Sequence, residues 1–108
     1  MSRMIMALLG GCLLASMSAH AATAARVHVV TIDAMQFGPM PTDVHAGDII
    51  EWNNRDILEH SATDRDGHFD VDLKPGTSAR TVAETGTFKV FCKFHPTMTA
   101  VLVVSADP

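Results

Sequence analysis

The run Phe91-Cys92-Lys93-Phe94-His95-Pro96-Thr97-Met98 sets a thiol, an imidazole and a thioether at intervals of three residues. A second imidazole, His60, lies far upstream. Two His, one Cys and a weakly held axial Met are the ligand set of an electron-transfer copper site. Such a set satisfies neither copper oxidation state fully, so little atomic motion accompanies gain or loss of an electron. A structural zinc module is the rival metal reading, and the Met argues against it, because such sites use Cys, His and carboxylates. Taken singly, each residue has an ordinary role: a small hydrophobe at a strand end, a surface imidazole, a core Met. Their coincidence on one loop favours the metal.

That loop needs strands at both ends. Short apolar runs punctuated by turns predict an all-β chain. Strands are expected over 27–32, 49–53, 61–63, 69–73, 79–83, 87–92 and 100–104. Met35 to Pro41 reads as a loop, broken by Gly38, Pro39 and Pro41. Ala46-Gly47-Asp48 reads as a tight turn, and Asn53 to Glu59 as the polar loop that delivers His60. Phe69, Val71 and Leu73 alternate with Asp70 and Asp72, the mark of a half-buried strand. Phe88, Val90 and Cys92 share one face, so the sulfur points where two core side chains point. Trp52 shares a face with Ile50 and is expected in the core. About seven strands at this spacing suggest a β-sandwich.

The N-terminus reads as an export leader. Arg3 supplies the positive charge, Met4 to Leu14 the apolar stretch, and Ala19-His20-Ala21 the cleavage pattern. The expected division is a signal peptide over 1–21 and a single domain over 22–108. The apolar stretch is too short to span a bilayer. Leu9-Gly10-Gly11-Cys12 loosely resembles a lipid-attachment box, a weaker alternative. Cys92 is then the one thiol left to the folded domain. With no disulfide possible, a bound metal is a candidate staple for so small a core. All 12 Asp and Glu lie beyond the leader while Arg3 leaves with it, which argues against nucleic acid and anionic membrane surfaces.

From about Val27 to Val104 the chain resembles the small cupredoxins, in their amicyanin- and plastocyanin-like branch. The resemblance rests on Met35-Gln36-Phe37, Val44-His45-Ala46-Gly47-Asp48, Trp52-Asn53-Asn54-Arg55-Asp56, His60-Ser61, Gly86-Thr87-Phe88 and the Cys92 to Met98 loop. It implies a Greek-key sandwich of seven to eight strands and one mononuclear copper held by His60, Cys92, His95 and Met98. It also implies a soluble periplasmic one-electron carrier and no enzymatic activity. The expected partners are redox proteins, a cytochrome c or a periplasmic dehydrogenase or reductase, met as a monomer. A copper carrier or chaperone on the same fold is the alternative.

Three positions depart from that pattern. Glu59 stands where many relatives have Pro, and Ser61 where many have Asn. Ser61 must therefore tie the two ligand loops together. Phe94 replaces a Pro, and its amide is expected to reach the Cys92 sulfur. Elsewhere, His28 and His45 read as surface imidazoles, and Asp64 to Asp72 as a solvated acidic edge suited to steering a basic partner. Met35 and Met40 read as packing or surface residues beside the site.

Overall fold

The computed structural model describes residues 10–14 and 24–106. The expected cleavage point after Ala21 lies outside the described residues. Among the described residues nine strands follow one another: β1 (Val27–Asp33), β2 (Gln36–Phe37), β3 (Val44–His45), β4 (Ile49–Asn54), β5 (His60–Asp64), β6 (Asp70–Leu73), β7 (Ser78–Val82), β8 (Gly86–Phe91) and β9 (Thr99–Ser105). They form two sheets, ordered β2-β1-β4-β7 and β3-β9-β8-β5-β6. This is the all-β sandwich expected. No helix occurs among the described residues, and so none long enough to cross a membrane.

Two strands were not anticipated. β2 and β3 are two residues each, too short to show any alternation. β2 is the return arm of a hairpin whose two turn residues, Ala34 and Met35, have φ of 49° and 60°. Such a two-residue turn normally carries Asn-Gly. Here side chains satisfy its amides: Asp33 Oδ1 accepts Ala34 N–H at 2.8 Å, and Asp56 Oδ2 accepts Met35 N–H at 3.0 Å. Just beyond, Gly38 N–H donates to Thr31 O at 2.7 Å, and a Cβ on Gly38 would stand 2.8 Å from that oxygen. The close approach requires glycine.

The core lies between the sheets. Val30, Ile32, Ile50 and Trp52 enter from one, and Ala62, Leu73, Phe88, Val90, Leu102 and Val104 from the other. Trp52 is fully buried, its Nε1–H donating to Thr81 Oγ1 at 3.0 Å. Its ring sits between Phe37 and Phe69, and Phe69 leads on to Phe88. These aromatics join the two sheets through one continuous chain of ring contacts, edge-on at Phe37 and tilted at Phe69 and Phe88.

At the sandwich end where β1 begins, Asp48 gathers three donors. His28 Nε2 lies 2.9 Å away, and the amides of His45 and Arg26 lie 3.0 and 3.2 Å away. His28 is thus not the surface imidazole expected: its side chain keeps only 15% of its exposure. The hydrogen bond from His28, then the two amides, hold the Asp48 carboxyl well below the usual carboxylate range.

Candidate metal centre

The site is built at the opposite end, where β4 and β8 finish and β5 begins. Asn54 organises the approach. It is fully buried, and its Nδ2 donates to Leu58 O at 2.8 Å and Leu73 O at 2.9 Å. Its Oδ1 accepts Asp56 N–H at 2.9 Å. The chain from 54 to 58 is thereby folded back, and His60 enters as the first residue of β5 rather than from a free loop.

The Cys92 to Met98 loop closes on itself. Cys92 N–H donates to Met98 O at 3.2 Å, extending the β8–β9 pairing past its last residues. Met98 N–H donates to His95 O at 2.9 Å. Pro96 occupies the second position of that four-residue turn, where its fixed φ is favourable. The loop therefore places His95 above Cys92 and returns Met98 to the interior. Cys92 and Met98 are both buried, and His95 is half-buried.

His60 is completely buried, and its Nδ1 lies 3.8 Å from Cys92 Sγ. The His60 and His95 ring centroids are 5.1 Å apart, edge to face. Ser61 N–H donates to Cys92 Sγ at 3.4 Å. The amide on the sulfur is thus Ser61's, and no bond from Phe94 N–H to Sγ occurs among the described residues. The sulfur's amide donor comes from the neighbouring strand, not from its own loop. As the Asn-to-Ser change requires, Ser61 Oγ also accepts Lys93 N–H at 2.8 Å.

His60 Nε2 lies 2.9 Å from Asp56 Oδ2. The His60 hydrogen bond, helped by the amides of Met35 and Ile57, lowers the Asp56 pKa to about 2. An ionised carboxylate only accepts, so the proton of a neutral ring sits on Nε2 and the Nδ1 lone pair faces the sulfur. Asp56 was not among the expected site residues. Its signal was the Trp52 to Asp56 motif and a spacing of four from His60.

The four expected residues are thus neighbours at one end of the sandwich. They are adjacent rather than drawn tightly around one point: among the described residues, no group of three or more His, Cys, Asp and Glu stands at ion-holding spacing. The donor chemistry fits a soft metal such as copper. One buried thiol, one imidazole with its second nitrogen tied, a second imidazole beside it and a thioether on the same loop match a copper site.

The acidic edge differs from expectation. Asp64 is buried and lies 2.6 Å from His68 Nδ1. Lys93 Nζ bridges Asp70 at 2.9 Å and Asp72 at 2.7 Å. The lysine on the ligand loop thus offsets much of the charge expected to face a partner.

The sequence profile of cupredoxin-like domains matches residues 5–104, and the chain belongs to that family. Among solved structures it is similar to a reduced amicyanin variant, at 26% identity and a TM-score of 0.63, covering 77% of this chain and 86% of that one. A copper(I) form of another amicyanin variant shares 26% identity at a TM-score of 0.63, covering 73% and 82%. A purple cupredoxin from Nitrosopumilus maritimus shares 25% identity at a TM-score of 0.61, covering 71% of this chain and 98% of that one. No curated protein matches the chain.

Proposed function

We infer that this cupredoxin is a periplasmic one-electron carrier with a single type 1 copper held by His60, Cys92, His95 and Met98. The observation that carries the reading is His60 Nδ1 facing the buried Cys92 Sγ at 3.8 Å, with the His95 ring alongside. When bound, copper supplies the one-electron couple. The protein supplies the thiolate, two oriented imidazoles, a weak thioether and exclusion of water. The domain over 22–108 is delivered by the leader over 1–21 and acts without catalysis.

Half-buried His95 is the route for the electron, since His60 is sealed from solvent. The same end of the molecule exposes Ile57 (87%), Phe94 (46%), Leu58 (42%) and Met35 (39%). An apolar rim of this kind lets a redox partner approach without stripping water from charges. A cytochrome c or a periplasmic dehydrogenase or reductase fits that face.

The test is the visible spectrum of the mature protein on addition of Cu(II). An intense thiolate-to-copper band is expected, and Cys92→Ser abolishes it while the fold persists. A colourless wild-type complex, or a mutant that stays coloured, overturns the assignment.

A further inference from the structure

We propose that Asp56 is a positioning residue that fixes the ring of His60 and, through it, lowers the reduction potential of the copper; the second half rests on the function proposed above. One oxygen, Oδ2, lies 2.9 Å from His60 Nε2 and also accepts Met35 N–H at 3.0 Å. The other, Oδ1, accepts Ile57 N–H at 2.7 Å. The carboxylate is thus clamped before it meets the ring. The Asp56 N–H is in turn held by buried Asn54.

The contact is shielded: His60 shows no exposure, and the Asp56 side chain keeps 10%. Charge acts more strongly there than across solvent. A carboxylate on the distal nitrogen fixes the tautomer and orientation of a ligand imidazole and raises its basicity. A more basic imidazole favours Cu(II) over Cu(I). The neighbouring acid, Glu59, carries the same charge but is exposed and makes no bond to the ring among the described residues.

A purely structural role for Asp56, as the brace of the turn at Met35 and Ile57, makes a different prediction. Asp56→Asn keeps an acceptor oxygen for the ring and removes the charge. Asp56→Ala removes both. Nitrogen-15 NMR of the metal-free protein reads the His60 tautomer, and voltammetry of the copper-loaded protein reads the potential. Wild type and Asp56→Asn are expected to hold the Nε2–H tautomer, and Asp56→Ala to lose it. Asp56→Asn is expected to raise the potential clearly more than the control Glu59→Gln. A wild-type ring protonated on Nδ1 overturns the proposal. So does an Asp56→Asn potential no higher than that of the control. Absence of any copper band refutes the electron-carrier reading alone, because the tautomer measurement needs no metal.

Discussion

Ser61 Oγ accepts the main-chain N–H of Lys93 at 2.8 Å. The β5–β8 pairing has Thr63 opposite Phe91, so Ser61 faces Lys93 two residues further along the same register. A side-chain hydroxyl continues the ladder where the backbone has turned away to form the ligand loop. The proton directions follow. Thr63 Oγ1 donates to Asp70 Oδ1 at 2.9 Å, so the Ser61 hydroxyl donates to Thr63 Oγ1 at 2.9 Å. Lys93 Nζ closes the circuit on Asp70.

Removing one member breaks this chain. Ser61→Ala leaves the Lys93 amide without its acceptor, at a cost of about 1–3 kcal/mol. Thr63→Val is expected to destabilise less, because Ser61 can still accept from Lys93. Urea unfolding of both metal-free variants checks the order. Equal losses would show that the Ser61–Lys93 bond carries no special share.

The second prediction concerns Trp52, the only tryptophan. Fully buried and in ring contact with Phe37 and Phe69, it should emit at short wavelength and shift to the red on unfolding. Trp52→Ala should cost about 3–5 kcal/mol. Trp52→Phe should cost less, since it keeps an aromatic ring there but leaves Thr81 Oγ1 without its donor. Fluorescence of the native protein and denaturation of both variants test this.

The third concerns acid stability. The Asp48 carboxyl is held below its ordinary range, so the unfolded chain binds its proton at a higher pH than the folded one does. The stability it contributes is complete above the ordinary value of about 4 and is lost as pH falls towards the folded value. Asp48→Asn should therefore flatten the fall of stability below pH 4 by up to about one proton in slope. Unchanged slopes in denaturation series at several acidic pH values would remove Asp48 from the account.

The fourth concerns the face around the ligand loop. Lys93 neutralises part of the charge of Asp70 and Asp72. Lys93→Met should unmask both carboxylates and speed encounter with a basic cytochrome at low salt. The gain should vanish near 1 M salt, where the screening length is about 3 Å. Phe94→Glu should instead slow electron exchange at every ionic strength. Stopped-flow rates across a salt series separate the two effects.

Much of this could be read from residue types alone. The long strands show alternation, as in Phe88, Val90 and Cys92, because one face of each is buried. The Cys92 to Met98 loop announced itself by spacing, whereas the linking role of Ser61 was legible only through the resemblance to relatives that carry Asn there. Other features had no periodic signal. β2 and β3 are shorter than one alternation, so only their hydrogen bonds reveal them. His28 and Lys93 are polar residues whose partners lie far away in sequence, and Asp56, although only four residues from His60, also holds the distant Met35 amide. Their roles depend on the fold bringing strand ends together, and a lone Asp or Lys reads as solvated until it does.

Among the described residues, Cys92 and Met98 are the buried apolar side chains of the core that carry a donor for a soft metal, with Met40 partly buried against the same core. Trp52, Ile50, Leu102 and their neighbours meet without help from the site. The packing between the sheets is therefore complete without the site, whose residues are held by the hydrogen bonds of Asn54, Ser61 and Asp56. For the proposed carrier, folding and loading would then be separate events in time. The quality of the proposed carrier would be decided by which ion reaches a completed protein, and not by whether an ion was at hand while the chain was folding.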